Sequence, residues 1–355
     1  MGIYISEKNG NNKYNEASAK VKGKMMRRFS VFDGAGEDLT DCEHLDEVLT
    51  KAKLDYSAVK CKTFYMPEEG PLAGQYIENP AAFTFAKSDN LQIPLGTNGK
   101  QYTAVGNRLA FDVADEIVQE GNARYEVGGP SLGAKNTVDY AKSFLVLRGD
   151  DFEIGDDTYN TFLAFNNSFD GSSGVSYQVL CQRLVCLNGM TRYLGGRESQ
   201  TRITIQHSHT AESRIQIARE VVKKRLEEIK LIQAEAEAFI GTKMTKEEFQ
   251  KNIIPLVLKE MKLVENDKER ERGHERIAQV VQDLLIAYEM DDVQNYANSA
   301  YRTILALADY ETHAAPLRDT QNPHLYLNRI AKGMLLTSAV AKYIAATKGI
   351  QVRIK

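Results

Sequence analysis

The chain has 355 residues, of which 43% are hydrophobic, a net charge of −3 and four cysteines. That length and apolar content suit a folded protein of about two domains and exclude a fibre or a wholly disordered chain. No apolar run approaches the roughly 18 residues of a membrane span, four unevenly spread cysteines make no disulfide framework, and the opening MGIYISEKNG has no leader-like apolar core; a reduced protein of a cytoplasm is expected.

Residues 1–32 carry a net charge of +5 and no hydrophobic period, and read as a mobile basic arm. Thr40 and Glu43 have the spacing of a capping box, and Leu45, Val48, Leu49 and Ala52 then share one helical face. Residues 58–65 alternate as a strand, whereas 72–99, broken by Gly, Pro and Asn, reads as a loop with short strands. Asn107 is expected to cap a helix lined by Leu109, Val113 and Ile117 and ended by Gly121. Strands follow near 123–128, 137–147, 158–167 and 174–185, the last two joined as a hairpin through the turn-forming run Phe169–Gly174.

After a short strand at 202–207 the pattern becomes helical. Ile215, Ala218, Val222, Ile229, Ala236 and Ile240 predict one long amphipathic helix over 211–240. Thr245 and Glu248 form a second capping box, on a helix that Pro255 should kink. A charge run at 266–273, helices near 274–290 and 292–309, and a last helix with Asn322 as cap and Pro323 at its first position complete the chain. The expected class is therefore α+β: an antiparallel β-hairpin sheet with a long amphipathic helix, followed by an all-helical C-terminal region. The expected divisions are the arm at 1–32, a core domain at 33–240 and a helical domain at 241–355.

Few motifs carry chemistry. Gly34-Ala35-Gly36 lacks the third glycine of a dinucleotide fingerprint, Leu39 standing in its place, and reads as a tight turn. His207 and His209 could face one side of a strand, but no third ligand follows by spacing, and Ala278 stands where a metalloprotease helix beginning at His274 would need its second histidine. Asp150, Asp151, Glu153, Asp156 and Asp157 read as a solvated turn rather than a magnesium cluster. Cys181 and Cys186 have neither metal-ligand spacing nor a neighbouring base. Neither a cofactor nor a metal is expected.

Charge distribution is more informative. Residues 178–230 carry a net +5, while 112–170 carry a net −8. In the basic segment Arg183, Arg192, Arg197 and Arg202 are interleaved with Tyr177 and Tyr193, and Arg219, Lys223 and Lys224 follow on the helix. Arginine forks suit phosphate oxygens, and aromatic faces can stack on unpaired bases. The competing reading is a solvated face held by pairs such as Glu220 with Lys224.

Several short stretches then resemble, in order along residues 45–340, the phage/plasmid-like protein family, a domain of unknown function numbered 932. They are Leu54-Asp55-Tyr56, Tyr102–Val105, Asn107, Ala110-Phe111, Tyr125–Gly133, Phe169–Ser172, Arg183–Asn188, His209-Thr210 and Asn298–Tyr310. The chain departs from the family pattern at Ala134-Lys135, Phe169 and Gly189-Met190. The resemblance implies a mobile-element origin and a bacterial host cytoplasm, but no reaction. A hairpin sheet followed by a basic helix is also the general layout of phage strand-annealing proteins. The leading expectation is therefore a homo-oligomer that binds single-stranded DNA through the seven basic residues named above. A protein that blocks a host defence or regulatory protein, and a metal-dependent enzyme using His207 and His209, are the alternatives.

Overall fold

The computed structural model describes residues 36–132, 137–183, 189–190, 202–226, 229–263, 271–311 and 335–350. The fold is α+β. Its central sheet has eight strands: β1 (Glu37–Asp38), β5 (Arg124–Leu132), β6 (Val138–Arg148), β8 (Asp157–Ser168), β9 (Val175–Arg183) and β10 (Gly189–Met190) follow one another across it. β7 (Phe152–Ile154) pairs with β8, and β11 (Arg202–Ile205) pairs with β9. All these pairings are antiparallel, and the expected hairpin is present, with Asn166 opposite Ser176 nearest the Phe169–Gly174 turn.

A second sheet corrects the sequence reading. Residues 72–99 are mostly strand: β2 (Ala58–Tyr65), β3 (Ile77–Lys87) and β4 (Asn90–Gly99) form an antiparallel sheet of three. Its ladders shift register at Lys62/Phe64, Phe85/Ala86 and Ala86/Lys87. Such bulges absorb residues that break an alternating pattern, which is why Gly96 and Pro94 can stand inside a strand.

The first helix, α1 (Leu45–Lys51), starts later than expected. Asp38 takes both the N–H and the hydroxyl of Thr40, at 3.0 and 2.7 Å, and Glu47 accepts the N–H of Glu43 at 2.9 Å. The capping thus moves to His44 and Glu47, while Leu45, Val48, Leu49 and Ala52 are buried on one face as expected. Helix α2 (Asn107–Gln119) is followed by Gly121, whose φ of 75° is left-handed.

One face of the central sheet packs on these helices. Leu145, Leu147, Leu163, Phe165, Tyr177 and Val179 meet Ala110, Phe111 and Ile117 of α2, and Ile215, Ala218 and Val222 of α3 (Ala211–Leu226). The expected helix over 211–240 comprises α3 and α4 (Ile229–Ile240), with 227–228 outside the described residues.

The capping box at Thr245 is met, with Thr245 N–H on Glu248 at 2.9 Å and Glu248 N–H on Thr245 at 3.3 Å. A π turn (Phe249–Ile253) leads without a break into α5 (Ile254–Glu260), so Pro255, which lacks the N–H that would continue the ladder, follows directly on the irregular turn. Helix α6 (Glu271–Glu289) begins within the charge run, whose residues 266–270 lie outside the described residues. The helix expected over 292–309 is instead a 3-10 segment (Asp291–Tyr296) followed by α7 (Ala300–Asp309), capped by Ser299 after Asn298 at φ 59°. The Asn322/Pro323 start lies outside the described residues, and α8 is Leu335–Lys348.

A second core joins these helices to the far end of β8. Ile154, Tyr159 and Cys181 pack with Ile232, Ala236 and Phe239 of α4 and with Tyr301, Ile304 and Leu305 of α7. The Tyr159 and Tyr301 hydroxyls hydrogen-bond at 2.6 Å. This core draws on both sides of the boundary expected at 240.

Candidate functional site

The expected interface begins at the outer edge of the central sheet. β10 lies against β9 at Cys181 and Gln182, and β11 lies against the same strand from Val175 to Gln178. Register sets Arg183 opposite Tyr159 and Arg202 opposite Gln178. The side chains of Arg183, Arg202, Lys223 and Lys224, and all of Arg192 and Arg197, fall outside the described residues. Gln178 itself is buried, and its Nε2 has no hydrogen-bond partner.

Arg219 is described, and it faces inward. Its guanidinium pairs with Asp112 and, at 3.5 Å, with Glu116, both on α2. Those carboxylates belong to the acidic stretch singled out by charge, so part of the opposition between basic and acidic segments is satisfied within the fold. The sequence groups Arg219 with Lys223 and Lys224 on the helix; only packing of α3 on α2 reveals its partners.

Behind this edge lies a buried polar centre. Asn107 at the start of α2 is not a cap but a hub: its Nδ2 donates to Leu54 O at 3.1 Å, and its Oδ1 accepts from Ser143 Oγ at 2.8 Å and Asn167 Nδ2 at 3.0 Å. Asn167 Nδ2 also donates to Val105 O at 2.9 Å, and the Val105 N–H donates to His207 Nδ1 at 3.0 Å. The chain segment between β11 and α3 is thereby tied to the start of α2. The His207 ring stacks on Tyr102, with centroids 4.9 Å apart, and the Tyr102 hydroxyl donates to Ser168 O at 3.2 Å.

The electrostatics follow from burial. Desolvation holds the His207 pKa down at about 4, so the ring is neutral; since Nδ1 accepts, the proton sits on Nε2, a buried donor with no partner. On the adjoining turn, burial opposes ionisation of Asp170, but hydrogen bonds from Ser168 and Ser172 and the ammonium of Lys142 at 3.1 Å outweigh it, and its pKa falls to about 2. Asn98 Nδ2 donates to Phe169 O at 2.8 Å, clamping this turn to β4.

The other motifs are occupied structurally. His209 is exposed while His207 is buried, and no three His, Cys, Asp or Glu side chains among the described residues group as metal ligands. Asp151 pairs with Arg148, Glu153 accepts from Thr158, and Asp157 accepts from Tyr296, each at 2.8 Å. Burial pushes the Cys181 thiol up to about 12, which leaves it unreactive. A Cβ on Gly36 would stand 2.6 Å from Gly128 O, so that glycine permits close approach of the chain to β5.

Fold and site together define an α+β protein in which a buried neutral histidine and an asparagine hub tie the segment after β11 to the start of α2. The family model named "Domain of unknown function (DUF932)" matches residues 94–331, more than half of the chain, and the chain belongs to that family. The match spans the polar centre and the basic segment; β2 and β3 precede it. No curated protein and no solved structure matches the chain. Among the described residues no helix is long and apolar enough to cross a membrane.

Proposed function

We propose that the protein binds single-stranded nucleic acid, without reading sequence, along the edge of β9 and the following helix, as an oligomeric strand-annealing protein of a phage or plasmid in a bacterial cytoplasm. The observation that carries the reading is topological: β9, β10 and β11 hold both ends of the segment 183–202 on one edge of one sheet. Arg183 ends β9 and Arg202 begins β11, with β10 between them in the chain, and α3 follows β11 after His207. In this reading no bond is made or broken. Arg183, Arg192, Arg197, Arg202, Lys223 and Lys224 hold phosphates, while Arg219 orients α3 through Asp112 and Glu116.

The test is the salt dependence of binding to a long single-stranded oligonucleotide. Each phosphate neutralised in a single strand contributes about 0.7 to the log–log slope. Charge reversal at Arg192, Arg197 and Arg202 should therefore reduce the slope by about 2, with circular dichroism unchanged. Reversal at Lys51 and Lys53, which pair with Asp41 and Glu37, should leave the slope alone. Absence of binding by the wild-type chain at low salt overturns the reading, and a monomer at every concentration, with or without DNA, removes the oligomer. A second reading, a protein that binds and blocks a host protein, is favoured by one observation: among the described residues, six of the ten exposed large apolar side chains lie within residues 59–76.

A further inference from the structure

Among the described residues the three-stranded sheet has two outer strands, β2 and β4, and neither pairs with a further strand. Of these, β2 is the freer: among the described residues none of the backbone hydrogen bonds formed outside the regular ladders reaches residues 58–65. An unpaired strand edge is a template for another strand, and proteins ordinarily keep such edges short or covered. Here the edge is eight residues long, and Phe64, Tyr65 and Met66 at its end are each at least half exposed, beside Tyr76 at 79%. Apolar side chains gathered in this way mark a contact surface, to which Val59 and Leu72 add, whereas Leu91, Val138, Ile217 and Tyr343 are exposed in separate parts of the chain.

The charges on the strand select the occupant. Lys60 and Lys62 are exposed and share one face, opposite Phe85 and Phe83 in register. Lys60 Nζ lies 3.9 Å over the Phe83 ring, and Lys62 Nζ pairs with Glu78 at 2.8 Å. A second copy pairing antiparallel through the middle of β2 would set lysine against lysine, which is unfavourable for directly opposed residues. A nucleic acid has no strand backbone with which to complete a ladder. An extended polypeptide with carboxylates at alternate positions satisfies both demands: its backbone fills the open edge, and its acids meet the two lysines. On the other face Val59 and Tyr65 offer apolar surface to the intervening side chains.

We propose that β2 accepts, by strand addition, an extended acidic segment of a partner protein, with carboxylates facing Lys60 and Lys62 and apolar or β-branched residues between them. The proposal develops the host-protein reading and uses none of residues 183–224, so it and the nucleic-acid reading can fail separately.

The experiment is fluorescence anisotropy of labelled ten-residue peptides with the full chain. One peptide alternates glutamate with valine and threonine, one has lysine in place of glutamate, and two are acidic peptides N-methylated on one or the other alternate set of backbone nitrogens. The acidic peptide should bind. One methylated set should lose about tenfold or more in affinity and the other little, because alternate N–H groups point to opposite sides of a strand. The double variant Lys60→Glu/Lys62→Glu, at exposed positions, should keep its circular dichroism and reverse the preference to the lysine peptide. No binding of the acidic peptide at millimolar concentration overturns the proposal, as does binding indifferent to methylation or to the double variant. Self-association of the wild type that the double variant abolishes would assign the edge to a second copy. Loss of oligonucleotide affinity in that variant, with peptide binding intact, would assign it to nucleic acid; either result also overturns the proposal.

Discussion

Acid should unlock the polar centre through one side chain. His207 is 7% exposed, stacked on Tyr102, with Nδ1 already accepting the Val105 N–H. Burial lowers its pKa from 6.5 to about 4. The unfolded chain therefore takes up a proton before the folded one does. The contribution of the neutral ring to stability is full above about pH 6.5 and is lost as pH falls toward 4. Between pH 7.5 and 5 this linkage costs about 2 kcal/mol, and below pH 4 it reaches about 3 kcal/mol. Asp170, whose pKa is lowered to about 2, is silent in the upper window because its own loss begins only below about pH 4. The assay is urea unfolding at pH 7.5 and pH 5 for the wild type and for His207→Gln, whose amide oxygen can still accept from Val105. The wild type should lose about 2 kcal/mol more than the variant over that interval, with unchanged m values. Equal losses in the two proteins, or an NMR titration of the His207 ring with a midpoint near 6.5, would refute the reasoning.

Asn107→Ala removes the acceptor of Ser143 and Asn167 and the donor to Leu54 O, and should cost about 3 kcal/mol in urea unfolding; a cost below about 1 kcal/mol would mean that the hub is not satisfied as drawn. Gly174→Ala would set a Cβ 2.1 Å from Ile205 O, backbone against side chain with no room to yield, so β11 must part from β9. Amides at Ile203 and Ile205 should then lose hydrogen-exchange protection, and unchanged protection would contradict this pairing. Arg219→Gln removes the guanidinium that pairs with Asp112 and Glu116 and should cost about 1 kcal/mol, yet leave the salt slope of oligonucleotide binding unaltered. A shallower slope would make Arg219 a phosphate contact.

Features written within a few residues were legible. The Thr245/Glu248 box, the glycine ending α2, the buried face of α1 and the β8–β9 hairpin depend on neighbours that compete with nothing farther away. Where neighbours competed, the reading slipped: Asp38 took Thr40, and the start of α1 moved to His44. β3 and β4 were hidden because Pro94 and Gly96 interrupt the alternation, and only pairing with neighbouring strands makes a bulged segment a strand.

The candidate site divides in the same way. The basic segment stands in the sequence because charge is a property of residues, whereas the pairing of β11 with β9 is made only in the fold. The polar centre had only faint signals, Ser143 within an apolar strand and Asn166-Asn167-Ser168 ending another. Its bonds join residues 36, 53, 60, 62 and 102 positions apart, and Arg219 meets Asp112 across 107. Local order thus came from side-chain pattern and short-range hydrogen bonds. The partner of Arg219, the role of Asn107 and the neutral state of His207 were decided by packing, because desolvation and long-range hydrogen bonding exist only once distant segments exclude water between them.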